Sequence, residues 1–150
     1  MTSAKSYLPP GLPIPVPERD GLSEPFWSGL RKGVLRVQRC EGCGELQFGP
    51  EWICHRCHSF ELGWQAVAPH GRIYSWERSW HPVHPSLKEA VPYLVVLVEL
   101  PEAGNIRLLG NLLGPPEQPV PIGAAVKGVF EHHEDADPPF SLLQWRLAGS

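Results

Sequence analysis

The sequence predicts a mainly β protein in which a short N-terminal helix and a small four-cysteine metal module precede a five-stranded barrel. Three observations carry this expectation. All four cysteines of the 150-residue chain fall within eighteen residues, as Cys40, Cys43, Cys54 and Cys57, two Cys-x-x-Cys pairs with ten residues between them. Five short β segments, punctuated by Gly, Pro and acidic turns, fill the chain beyond Pro69. No convincing amphipathic helix pattern interrupts those five segments.

Taken in order, residues 1–22 carry five prolines between Pro9 and Pro17 and little apolar periodicity, the composition of an extended arm. Such an arm is either a solvated tail or, through Leu8, Leu12, Ile14 and Val16, a strap along a partner's surface. Ser23, Glu24 and Pro25 then form a helix start, with Phe26, Trp27 and Leu30 on one side and Gly33 as the stop. Residues 34–39 alternate apolar and polar and lead as a strand into the first cysteine pair. Residues 47–53 are an excursion between the two pairs, and residues 61–67, with Leu62 and Trp64, read as the closing strand. Residues 23–67 thus make a helix plus zinc ribbon, too small to hold together without metal. From residue 68 to 150 the expected strands are 71–80, 92–100, 106–113, 124–133 and 140–147. Pro101, Glu102, Ala103 and Gly104 form a hairpin turn, and a longer loop over residues 115–121 ends at Gly123. Five strands in about eighty residues are most economically arranged as an OB-fold.

The cysteine spacing points to chemistry as well as architecture. A secreted disulfide framework spreads its cysteines to tie distant loops, whereas two close pairs suit two turns that aim four thiolates at one tetrahedral zinc. Gly42 and Gly44 around the first pair, and His58 and Ser59 after the second, supply the residues such turns need. A single iron would take the same four sulfurs, but no electron partner is evident. A redox dithiol would sit at a helix start, and Cys40 follows a strand-like segment instead. His55 or His58 would be acceptable ligands, yet four thiolates leave no need for either. A site saturated by sulfur has no open position for water, so the metal is structural.

Other function classes are narrowed by composition. Thirteen Lys and Arg against sixteen Asp and Glu give a net charge of −3, which offers no chain-wide attraction to nucleic acid or anionic lipid. The longest apolar stretch, residues 93–98, is far below the roughly 20 residues a membrane helix needs, and no leader pattern opens the chain, so the expected location is cytoplasmic. No Gly-x-Ser-x-Gly elbow or phosphate-binding Gly-rich loop is present, and every cysteine is committed to metal, so no catalytic residue is assigned. His81 and His84, between prolines, are read as packing or hydrogen-bonding groups. His132 and His133 beside Glu131, Glu134, Asp135 and Asp137 are read as a solvated acidic turn. Tyr74, Trp76 and Trp80 with Arg72 and Arg78 form a candidate binding strand. It would suit a single-stranded nucleic acid, the alternative reading, or a protein or CoA partner. Three basic against seven acidic residues from Glu99 onward oppose the nucleic-acid reading. The stretch 31–58, with five basic and three acidic residues, would meet phosphates of either kind.

The order of Phe26-Trp27, residues 35–39 leading into Cys40-Glu-Gly-Cys43-Gly44, Cys54-x-x-Cys57, Trp64, Gly71, Pro92-Tyr93, Leu108-Leu109-Gly110 and Ile122-Gly123 before Val126 and Phe130 resembles the acyl-CoA-associated family that joins a rubredoxin-like zinc ribbon to an OB-fold. The resemblance spans about residues 23–147 and rests on the ordered set rather than on any single motif. It implies an accessory subunit of thiolase-fold enzymes, either thiolases and hydroxymethylglutaryl-CoA synthases or lipid-transfer-type thiolases and aldolases of steroid side-chain degradation. Some relatives are fused or bound to hotdog-fold enoyl-CoA hydratases. The implied assembly is a hetero-oligomer that shields or channels an acyl-CoA. Phe26, Trp27, Arg72, Trp76, Arg78 and Trp80 are the candidate partner or CoA contacts. The chain departs from the family pattern at His55, where proline is common, and at Gly49-Pro50-Glu51-Trp52, where an arginine-containing stretch is usual.

Overall fold

A computed structural model describes residues 9–13 and 15–149, so the Leu8 and Ile14 contributions expected of the arm lie outside the described residues. Pro9 and Pro10 run into Gly11 at φ +82°, and the Leu12 N–H donates to the Pro9 carbonyl at 3.3 Å, a turn that only the glycine makes easy. Further on, the Asp20 carboxylate accepts from the Ser23 and Leu22 N–H groups at 2.7 and 2.8 Å, which holds its carboxyl below the usual carboxylate range and fixes the entry to the helix. Helix α1 (Glu24–Arg31) buries Phe26, Gly29 and Leu30. It ends where Gly33, at φ +68°, donates to Leu30 and turns the chain back.

The chain then forms two antiparallel sheets. Strands β1 (Leu35–Cys40), β2 (Leu46–Gln47) and β3 (Leu62–Val67) make the first, in the order β2-β1-β3. After only Ala68 and Pro69 the second begins, with β4 (His70–Ser79), β5 (Tyr93–Leu100), β6 (Ile106–Asn111), β7 (Ala125–His133) and β8 (Phe140–Leu147) in the order β6-β5-β4-β7-β8. Short 3-10 turns at Pro85–Leu87 and Pro101–Ala103 are the helical pieces of this half. The third barrel strand is two residues shorter than the sequence pattern implies, for a physical reason. Leu112 keeps one bond to β5, its N–H donating to the Leu94 carbonyl at 3.2 Å, but already bridges Trp145 of β8 in parallel, and Leu113 donates to the Trp145 carbonyl at 2.8 Å. That switch nearly closes the five strands into a barrel, as an OB-type topology requires.

One continuous core runs through both halves. Leu30, Leu35 and Val37 from the helix and ribbon join Ile73, Leu94, Val96, Val98, Leu100, Leu108, Val126 and Trp145 from the barrel. The Trp145 indole, fully buried, lies over Gly110, where an added Cβ would come within 2.8 Å of its Cδ1. Helix α1 packs against β1 on one side and β7 and β8 on the other, covering the outside of that hairpin. No helix among the described residues is long and apolar enough to cross a membrane.

Candidate metal centre and interface

Two matching turns present the cysteines. The Gly44 N–H donates to the Cys40 carbonyl at 2.9 Å and the His58 N–H to the Cys54 carbonyl at 3.0 Å. Gly44 and His58 both take positive φ, at +78° and +62°. In each turn a backbone N–H points at the leading sulfur, Cys43 N at 3.5 Å from Cys40 Sγ and Arg56 N at 3.4 Å from Cys54 Sγ. The left-handed position expected of a glycine is therefore filled by Gly44 in the first turn and by a histidine in the second.

The four sulfurs lie within 4.8 Å of one another. Each close contact joins one turn to the other, with Cys40 to Cys57 at 3.5 Å and Cys43 to Cys54 at 3.7 Å. Four thiolates around zinc at a Zn–S distance of about 2.3 Å sit about 3.8 Å apart, so the sulfur set has the size of a tetrahedral zinc site. The Cys57 N–H, opposed by burial and helped by the Arg56 N–H, brings the Cys54 thiol down to about 6. Cys40 is lowered too, first by the Cys43 N–H. The Ser59 N–H favours a Cys57 thiolate, but the neighbouring Cys40 sulfur and burial outweigh it and push that thiol up to about 12. A divalent cation relieves this crowding of negative sulfur, and the ribbon is a structural zinc module. The histidines stand apart, because His55 Nε2 faces Glu45 at 3.6 Å, beside an Arg56–Glu45 pair at 2.9 Å.

Two buried glutamines, which the sequence pattern did not single out, hold the excursion between the turns. Gln38 accepts from the Glu51 N–H at 2.9 Å and donates to the Glu51 carbonyl at 2.8 Å. Gln47 donates to Gln38 Oε1 at 2.9 Å and to the Ile53 carbonyl at 3.2 Å, and accepts from the His55 N–H at 3.1 Å. Their position one strand apart in register, Gln38 opposite Gln47, is the signal that would have found them.

The candidate contact residues separate into three groups. Phe26 is buried, with its ring against Trp27 and Phe48, so it supports the surface from beneath. Arg72 and Arg107 both grip Glu99, at 2.6 and 3.1 Å, and hold its carboxyl below the usual range, Arg72 most strongly; Arg107 also lies over the Tyr74 ring. Arg78 donates to the carbonyls of Pro116 and Gln118 at 3.0 and 2.6 Å and sits over Trp76. Both arginines of the candidate strand are thus spent on the protein itself, which removes the free cations a nucleic-acid groove needs. Trp80 is 61% exposed, and the ribbon adds Trp52 and Phe60 at 63% and 78%, two aromatic anchors absent from the sequence-based set.

The histidines follow two patterns. His84 Nδ1 accepts from the Ser86 N–H at 3.1 Å and caps the 3-10 turn, as a hydrogen-bonding role requires. The expected solvated acidic turn begins two residues later than the sequence implied. Glu131 is fully buried and His133 nearly so, their side chains 2.6 Å apart, with His133 stacked on Phe140 at 4.7 Å. Two polar residues were read as surface because the acidic run that follows masks the end of the strand.

Comparison with known proteins agrees with this geometry. Residues 27–63 match the description "ChsH2, rubredoxin-like zinc ribbon domain", and residues 64–131 match "ChsH2, C-terminal OB-fold domain". The structure resembles one titled "Ltp2-ChsH2(DUF35) aldolase", with a TM-score of 0.73 and 32% identity over 90% of this chain and 99% of that one. A DUF35 protein of unknown function from Sulfolobus solfataricus shares the fold, with a TM-score of 0.56 and 18% identity over 83% of each chain. A "Probable enoyl-CoA hydratase alpha subunit" of Thermomonospora curvata is 36% identical over 137 residues, and the chain, 91% of which aligns, spans about 40% of that relative's length. A helix, a four-sulfur ribbon and a nearly closed barrel, matched along almost their whole length, make this chain a member of the ChsH2 (DUF35) family.

Proposed function

We propose that the chain is a non-catalytic accessory subunit that docks on a thiolase-fold enzyme, a thiolase or lipid-transfer-type aldolase, and helps shield or channel its acyl-CoA substrate. The observation that carries this reading is the match over 90% of the chain to a structure titled as an Ltp2-ChsH2 aldolase, at 32% identity. The sulfur-saturated metal site and the absence of any cysteine outside it support a structural rather than a catalytic role. Cys40, Cys43, Cys54 and Cys57 hold the zinc. Trp27, Trp76 under Arg78, and Trp80, with Arg72 on the same strand and Trp52 and Phe60 of the ribbon, are the contact residues, because aromatic and arginine side chains dominate interface energetics. A hotdog-fold hydratase is the second partner class, supported by the name of the relative that is 36% identical. The complex is cytoplasmic, and steroid or lipid side-chain degradation is the pathway class that agrees with these names.

The test is co-expression with a thiolase-fold enzyme from the same genome, followed by size-exclusion chromatography and an acyl-CoA cleavage assay. A stable hetero-oligomer whose enzyme loses activity when this chain is omitted supports the reading. Cys54→Ser is expected to lose zinc, the complex and the partner's activity together. Full enzyme activity without the chain, or an unchanged complex with the Cys54→Ser variant, would overturn it.

A further inference from the structure

At the end of the barrel where β5 starts and β6 stops lies a partly open cavity of about 650 Å³, within the size range of small-molecule sites. Its walls are apolar: Leu12 of the arm, Leu87 and Ala90 beyond the 3-10 turn, and Leu94, Leu112 and Leu113 of the barrel. The arm is placed there by the Pro9–Leu12 turn, and a Cβ at Gly11 would lie 3.5 Å from Ser86 Oγ, so the strap and the 3-10 turn meet at the rim. Three polar residues share this lining. Asn111 donates through Nδ2 to the Leu94 carbonyl at 3.0 Å, which fixes the amide and leaves Oδ1 without a donor. Neither the Tyr93 hydroxyl nor the Arg146 guanidinium has a hydrogen-bond or ion-pair partner among the described residues. No acidic side chain lines the cavity among those residues, so Arg146 is its single charge.

Its place is the argument. Arg31, Arg56, Arg72 and Arg107 pair with carboxylates and Arg78 with carbonyls, and of the arginines without such a partner among the described residues, Arg19, Arg36, Arg39 and Arg146, only the half-buried Arg146 lines this cavity. A guanidinium in such a position is matched by an anion that brings its own apolar body. We propose that this cavity is a binding site for a small, mainly apolar monoanion of the carboxylate class, its head on Arg146 and Tyr93 and its hydrocarbon against Leu12, Leu87, Leu94 and Leu112. The chemistry asks for an anionic head carried directly on a hydrocarbon body, which a free hydrophobic acid supplies. The site stands on the cavity alone and does not depend on the accessory-subunit reading.

The test uses the full zinc-loaded chain and calorimetric titration with dodecanoate and, as the neutral counterpart, dodecanol, both below their self-association limits. Saturable binding of one dodecanoate per chain, roughly tenfold tighter than dodecanol, is expected. Arg146→Met is expected to bring dodecanoate down to the level of dodecanol, and Arg146→Lys to keep most of the preference. Because a β8 substitution can disturb folding, the Arg146 Nε–H resonance of the unaltered chain is followed in parallel and is expected to shift on adding dodecanoate. Equal binding of acid and alcohol, an unmoved Arg146 resonance, or no saturable binding at all would each overturn the proposal.

Discussion

The ribbon and the barrel are held by different physics, although one core joins them. The barrel buries an apolar set, including Val96, Val98, Leu100, Leu108 and Trp145, behind long ladders, β7 pairing with β8 over eight residue pairs. The ribbon has a two-residue β2, and its buried side chains include the polar Gln38 and Gln47 beside Cys40 and Cys54. Removing water from hydrocarbon stabilises the first, while directed bonds to sulfur and amide stabilise the second. A region of the second kind folds only when each directed partner is present. It can therefore be broken by changing one atom, whereas the barrel's apolar core yields chiefly to a change of volume.

The largest expected break is at the metal. Cys54→Ser, or chelation of zinc, removes a contribution on the order of 10 kcal/mol and should leave the barrel's amides protected from hydrogen exchange while those of residues 40–60 become labile. Uniform loss of protection would show that the shared core makes the two regions one cooperative unit. On the barrel side, Gly110→Ala drives a methyl to within 2.9 Å of the Leu143 carbonyl as well as onto Trp145, and is expected to lower stability by about 2–3 kcal/mol in denaturant unfolding. Gln47→Ala strands the His55 N–H and the Ile53 carbonyl, with an expected cost of about 1–2 kcal/mol and faster exchange confined to the excursion.

A pH series sharpens the comparison further. Glu99 is ionised more readily in the folded chain because Arg72, and then Arg107, favour its charged form. Its contribution is therefore complete above the ordinary carboxylate range and lost as pH falls through that range to the depressed folded value. Glu99→Gln should flatten this part of the acid limb of the barrel's stability curve. Smallest of all, Trp80→Ala should change stability by no more than about 0.5 kcal/mol, since the ring is mostly in water, while lowering affinity for the enzyme partner.

Legibility in the sequence followed the same division. The barrel strands were visible as short β segments between Gly, Pro and acidic turns, and the ribbon was visible as cysteine spacing, because both signals are local. What escaped was non-local. The β7–β8 hairpin is covered on both faces, by the barrel inside and α1 outside, so β8 is buried nearly throughout and alternation cannot show which residues face where. On the partner strand β7, Glu131 and His133 were assigned to the surface because the acidic run after them masks the strand's end. Trp145 was legible as strand, but its dependence on Gly110 two strands away was not. The metal ligands were readable as a set, whereas the cavity around Arg146 draws on the arm, a 3-10 turn and three strands, and no window of sequence contains it.

The Arg78 clamp carries one more consequence. Strand β4 pairs with β7 only at His70, Gly71 and Arg72, so from Tyr74 onward its far edge has no strand beside it among the described residues. An open edge that carries Tyr74 and Trp76 is a template on which another chain could add itself by backbone pairing. The loop carrying Pro116 and Gln118 is pinned beside this stretch by the Arg78 guanidinium. The arginine thereby ties a loop beside an edge that would otherwise offer its backbone to another strand.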